Sequence, residues 1–299
     1  MEDLVFIILC LISIVNIKFK GINEFFFDYM NLKNTSQIKG IFVWIIVLYH
    51  YRTYFKINKK YIYNYILNCV GQKMVSMFLF YSGFGIYESI KFSLFNNKGV
   101  NYVKTLPVKG IILFIKSQII IIIYLVTNIL LRIKISLYKY CLSVIFKSSL
   151  GNSNWFAFSI ILFYFYSFLS FIFIKNKNYL FFGIIIISFL CVFHVYLLYN
   201  YYYPKVMYAV DNTLSFLFGF CYSLLKKYFQ KIVMKNDISL YGTLSFSIML
   251  FYNCYIYKLR TIWIVSITNA IFSLITVFIS MKVRFGNEFL TLLTLYLLI

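Results

Sequence analysis

Apolar residues along this chain come in runs of about 14 to 22, separated by short polar joints. The runs lie at roughly 3–19, 40–56, 69–90, 110–131, 154–174, 179–200, 210–228, 238–257, 261–281 and 286–299. Most approach the ~20 residues that carry a helix through a bilayer, at about 1.5 Å of rise per residue. The joints hold helix-stopping residues, as in Asn31-Leu-Lys-Asn-Thr-Ser-Gln37, Asn96-Asn97-Lys98-Gly99 and Ser148-Ser149-Leu-Gly151-Asn-Ser-Asn154. The pattern predicts an all-α, polytopic membrane bundle of about ten transmembrane helices in a single domain, 1–299. The run over 3–19 is an extra N-terminal helix, with no small-residue cleavage site after it. The last run has only 14 residues, about 21 Å of helix, and we expect it to be truncated. Between Arg132 and Lys147, basic residues at 132, 134, 139 and 147 interrupt Ile, Leu, Val and Phe. This stretch reads as an interfacial amphipathic helix or a short spanning one. No internal repeat is present, so an inverted-repeat transporter is not supported.

Composition agrees with that reading. Of 299 residues, 62% are hydrophobic and 12% charged, where soluble domains carry about 25% charged residues. The formal net charge of +21 would in a soluble chain point to nucleic acid. Here Lys is scattered over the ends of the apolar runs, where it snorkels to headgroups. Membrane lipids, anionic ones above all, are therefore the expected contacts, and nucleic acid is not an expected partner. Joints at 18–39, 91–109, 175–178, 226–237 and 282–284 hold about 16 Lys and Arg, and those on the other side about 11. That bias puts Lys39 at the cytoplasmic end of its helix. Six Cys stand singly with no CxxC or CxxH spacing, and there are two His and eight acids. No metal site and no redox pair is expected.

The chemistry-bearing residues gather in two runs. His50 lies inside an apolar helix, where an ionisable group costs roughly 2.5 kcal/mol or more unless it faces something polar. Lys39 stands 11 residues before it. At 100° per residue the two share a face, about 16 Å apart along the axis. A cation at the membrane edge and an imidazole deeper on one face suit an anionic ligand with a long body, the imidazole acting as base. The competing roles are a membrane-edge anchor for Lys39 and a hydrogen-bonded neutral imidazole for His50. The next run contains Phe80-Tyr81-Ser82-Gly83-Phe84-Gly85 and Glu88 three residues before Lys91. Gly83 and Gly85 would admit a neighbouring backbone, and Glu88 would pair with Lys91. Asp211, Ser215, Gly219 and Ser223 make a small, polar stripe expected to be a helix seam. His194 is expected to be a satisfied core histidine. Trp155 is expected to anchor at an interface, and the tyrosines at 199 and 201–203 to form an aromatic belt.

Together these stretches resemble the bacterial membrane acyltransferase-3 family. Lys39-x10-His50 is similar to its Arg/Lys-x10-His motif, and Phe80-Tyr81-Ser82-Gly83-Phe84 to its Phe-x-Ser-Gly-Tyr/Phe signature. Asn154-Trp155-Phe156, Asp211-Asn212-Thr213 with Gly219-Phe220, and Phe285-Gly286-Asn287-Glu288 follow in family order. Lys stands where Arg is commoner, which loses the bidentate fork for phosphate. The resemblance implies transfer of an acyl group, usually acetyl from acetyl-CoA, to a hydroxyl of a cell-surface polysaccharide or glycolipid. It implies His50 as the catalytic base, with Lys39, Tyr81, Ser82, Gly83 and Asn212 binding the acyl-CoA or the acceptor. Tyr81 and Ser82 are also candidates for the oxyanion, because they carry hydroxyls. Acyl-CoA is a co-substrate and no bound cofactor is expected. The expected place is the bacterial cytoplasmic membrane. A non-acylating glycan-pathway membrane protein, such as a polysaccharide polymerase or flippase, is the alternative. A small-solute transporter ranks last, since only two Pro are present to break helices.

Overall fold

The computed structural model describes residues 7, 11, 14–55, 73–96, 99–150, 154–202, 207–256 and 262–297. The described chain is helical almost throughout. The helices are α1 (Leu32–Phe55), α2 (Lys73–Phe95), α3 (Gly99–Leu130), α4 (Leu137–Val144) and α5 (Asn154–Phe171). They continue as α6 (Leu180–Tyr202), α7 (Met207–Val233), α8 (Asp237–Ile256), α9 (Ile262–Ser280) and α10 (Glu288–Leu297). A two-residue strand β1 (Lys18–Phe19) pairs antiparallel with β2 (Val283–Arg284). Among the described residues four helical segments are long and apolar enough to cross a membrane: Tyr102–Leu130, Asn154–Phe171, Lys177–Asn200 and Trp263–Ser280. The run predicted over 3–19 lies largely outside the described residues.

The chain forms two compact units. One joins Met1–Phe84 to Leu214–Leu298, and the other is Gly85–Thr213. In the second unit α3 packs along α5, and α5 along α6. The face of α3 turned away from α5 exposes Ile111, Ile115, Ile119, Ile122, Val126 and Ile129. A helix satisfies its own backbone polar groups, so such a face is at home in hydrocarbon. Helix α3 starts 11 residues before the predicted run. Its first turns are amphipathic, with Val103, Leu106 and Gly110 inward and Lys104 and Thr105 outward, and an apolar-run criterion passes over such turns. The basic stretch 132–147 yields only the eight-residue α4. That is about 12 Å of helix, too short to span. Arg132, in a left-handed conformation at φ 56°, ends the preceding helix.

In the first unit, helices close on one another through glycine. A Cβ on Gly83 of α2 would lie inside the Phe216 carbonyl of α7, and one on Gly219 of α7 inside the Phe80 carbonyl of α2. Two backbones thus cross in contact, as small residues allow. The stripe containing Ser215, Gly219 and Ser223 is accordingly buried. Gly85 departs from expectation, since nothing lies near its missing Cβ and it is exposed. Gly40 plays the same part between α1 and α10, where the Leu290 carbonyl occupies the space of a Cβ. Helix α8 lies along α9. On α2, Ser76 Oγ donates to the Lys73 carbonyl at 2.5 Å, and the Asn269 carbonyl and Ser273 Oγ of α9 lie 3.1 and 3.3 Å from it.

The joint predicted at 31–37 is helix rather than linker. Asn31 caps α1, its Oδ1 accepting from the Asn34 N–H at 2.8 Å. Asn34, Thr35, Gln37 and Ile38 of the first two turns are buried. Ahead of the cap, residues 18–31 form a folded arm. Lys282 Nζ donates to the Gly21 carbonyl at 2.6 Å and pairs with Asp237 at 2.5 Å. Asn23 and Asp237 exchange bonds: Asn23 N–H to Asp237 Oδ2 at 3.1 Å, and Asp237 N–H to Asn23 Oδ1 at 2.9 Å. The Arg284 guanidinium pairs with Asp28 and lies 4.2 Å from the Phe26 ring centre. This clasp buries Phe25, Phe26, Tyr29 and Met30.

Candidate active site

One uninterrupted helix carries Lys39 and His50, so the 11-residue spacing does place both on one face. Lys39 is half-buried, and none of the ion pairs among the described residues includes it. Its Nζ lies 5.4 Å from the centre of the Tyr81 ring, a cation–aromatic contact from α1 to α2. The two stretches that carry the family-like motifs therefore meet side chain to side chain. His50, further along the same face, is exposed. Its ring makes an edge contact with Tyr49, with centres 5.8 Å apart.

Tyr81 begins a cluster of buried phenols. Its hydroxyl is buried and has no hydrogen-bond partner among the described residues. The Tyr29 hydroxyl, from the arm, lies 2.6 Å from that of Tyr222 on α7. Tyr81 joins them through Phe80, whose ring makes an edge contact with its own at 5.8 Å between centres. Phe80 and Phe84 pack on the Tyr222 ring, at 5.7 and 6.2 Å between centres. A second cation borders the cluster: Lys226 Nζ lies 5.8 Å from the Tyr29 ring and 5.5 Å from the Phe84 ring. Tyr29, Tyr222 and Lys226 carry no motif. In a chain with 29 Tyr and 29 Lys and Arg, the only sequence sign was the one-turn spacing of Tyr222 and Lys226.

The remaining sequence candidates separate by chemistry. Ser82 Oγ donates to the Phe78 carbonyl at 2.7 Å. Its one proton is spent in its own helix, whereas an oxyanion needs a donor. Tyr81 has an unspent donor but stands beside Lys39, about 16 Å along α1 from His50. Gly83 provides the crossing with α7, which leaves its surface to the Phe216 backbone. Asn212 belongs to the other unit and is fully buried, as is Asp211 to within 3%. Glu88 pairs with Lys91 at 2.5 Å, as the sequence led us to expect. His194 is buried, with Nδ1 3.1 Å from the Tyr166 hydroxyl. Its Nε2 has no partner among the described residues, so it is half-satisfied rather than satisfied. Trp155 stands at the first turn of α5. Cys191 is buried and Cys141 exposed, and neither is joined in a disulfide. No group of three or more metal-ligating side chains occurs among the described residues.

No family model, no curated protein and no solved structure matches this chain.

Proposed function

We propose that this chain is a multi-pass O-acyltransferase of about ten membrane helices. It moves an acyl group, acetyl first among candidates, from acyl-CoA to a hydroxyl of a surface polysaccharide or glycolipid at the bacterial cytoplasmic membrane. The observation that carries the reading is the contact of Lys39 with Tyr81. It joins the two stretches that resemble the acyltransferase-3 family and sets a cation and an unspent phenol donor at one place. His50 lies on the same helix face, on an exposed surface where an acceptor can reach it.

The residues suit the reaction. The diphosphate of the donor lies at Lys39, and the pantetheine arm extends along α1 toward His50. The imidazole takes the proton of the acceptor hydroxyl as its oxygen attacks the thioester carbonyl. The C–S bond breaks, and the leaving thiolate takes that proton from the imidazolium. A positioned base of this kind contributes roughly 10²–10⁴-fold. The test is acetate released by mild base from surface glycans of cells carrying wild type, His50→Ala or no copy. We expect ester with wild type only, with His50→Ala inserted in the membrane at normal levels. Ester in the His50→Ala cells equal to wild type would remove His50 as the base.

A further inference from the structure

The clasped arm has an outer face that its packing does not use. Phe25, Phe26, Tyr29 and Met30 turn inward, but Phe19, Ile22 and Phe27 of the arm and Ile238 of α8 are between 71% and 86% exposed. The clasp bonds gather these four: Phe19 pairs with Val283 in the ladder, Ile22 precedes Asn23, Phe27 precedes Asp28 and Ile238 follows Asp237. Three exposed lysines stand close in sequence to them, Lys18, Lys33 and Lys235. None of the ion pairs among the described residues includes any of the three. The acids of the clasp are taken by other bases: Glu24 by Lys20, Asp28 by Arg284 and Asp237 by Lys282. Glu288 stands in the first turn of α10, where the helix dipole favours a carboxylate.

The depth of this face is set by α9. Its apolar span ends at Ser280, and the next two residues are bonded to the arm. Phe26 N–H donates to the Met281 carbonyl at 2.8 Å, and Lys20 N–H to the Lys282 carbonyl at 3.0 Å. The arm therefore lies where a membrane helix leaves hydrocarbon, at the level of the headgroups. In water, large apolar side chains so exposed and so gathered would be a liability. At the headgroup boundary, apolar side chains flanked by lysine seat a surface in the leaflet.

We infer that this face of the clasp is a binding surface for anionic phospholipid. Phe19, Ile22, Phe27 and Ile238 enter the leaflet, and Lys18, Lys33 and Lys235 hold the headgroups. A headgroup with its own ammonium is already neutral, so lipids of net negative charge gain most. Lysines scattered over the ends of apolar runs would spread such contacts evenly. The folded arm concentrates them at one place, directly before α1. The inference rests on the membrane reading alone and not on acyl transfer.

The test uses the full chain, one copy per nanodisc, with a fluorescent amino acid encoded in place of Ile22. The discs are phosphatidylcholine with an equal, low fraction of brominated phosphatidylglycerol or brominated phosphatidylcholine as quencher. Both brominated lipids should quench position 22, and iodide added to the water should not. The anionic quencher should be enriched there roughly fivefold or more, the worth of a single lysine near the surface. Lys18→Gln, Lys33→Gln and Lys235→Gln together should abolish that preference and keep the quenching. Lys134→Gln, Lys139→Gln and Lys147→Gln together, a change of equal charge elsewhere, should keep both. If the first triple variant fails to fold, ionic strength decides on the chain that keeps its lysines, since the preference must shrink as salt rises. Quenching by iodide and by neither lipid overturns the seating and leaves the face to a protein partner. Equal quenching by the two lipids, a preference that salt leaves unchanged, a preference retained without the three lysines, or one lost equally in both triple variants overturns the anionic-lipid site.

Discussion

The Tyr81 hydroxyl is the residue where stability and use pull apart. A buried donor left without a partner costs about 1–3 kcal/mol, and Tyr81 is 5% exposed with such a donor. Tyr81→Phe removes the hydroxyl and keeps the ring under Lys39. We expect its unfolding temperature to match or exceed that of wild type, and its affinity for coenzyme A to fall several-fold. A phenol that served packing alone would give the first result without the second. At this scale the sequence was legible wherever helix periodicity does the work. Lys39 and His50 share a face because 11 residues are close to three turns. It was not legible at Tyr29 and Tyr222, which meet at 2.6 Å across 193 positions. Nothing local marks either tyrosine in a chain so rich in them.

Among the elements, the glycine crossings set the geometry of the site. Gly83 and Gly219 hold α2 and α7 in backbone contact and so fix Tyr81 and Phe84 against Tyr222 and Lys226. Added Cβ atoms there would meet backbone, which cannot swing aside. Gly83→Ala and Gly219→Ala should each lower stability by about 1–3 kcal/mol or more, read as thermal unfolding of the detergent-purified protein. Gly85→Ala, with open space beside it, should match or slightly exceed wild type, because helix propensity favours Ala over Gly by about 1 kcal/mol. Equal losses at positions 83 and 85 would refute the crossing. Helix existence was readable from the apolar runs, since burial and lipid contact both demand apolar side chains. Helix starts were not, because α1 and α3 begin with amphipathic or capped turns whose polar residues look like linker.

For the whole molecule, the clasp of residues 18–31 with 237 and 281–284 gathers joints that a count of Lys and Arg had already assigned to one membrane side. That count could not show a folded arm, because its bonds run between single residues more than 200 positions apart. The Lys282 ammonium, with the Asn23 N–H, holds the Asp237 carboxyl below its usual 3.8. A carboxyl whose folded pKa is lowered stabilises the fold above the unfolded value and loses that contribution as pH falls through the folded one. Asp237→Asn should therefore unfold at a lower temperature than wild type from about pH 8 to pH 5, and the gap should close only below about pH 4. A gap that is the same in strong acid would show that the charge does not matter. The clasp and the seam of Gly40 with Leu290 also tie the arm and α1 to residues some 250 positions later in the chain. A ribosome delivers α1 long before α10, so during synthesis the helix that carries Lys39 and His50 has one flank unmatched. The Gly40 flank of that helix can therefore close only once Glu288–Leu297 has been made.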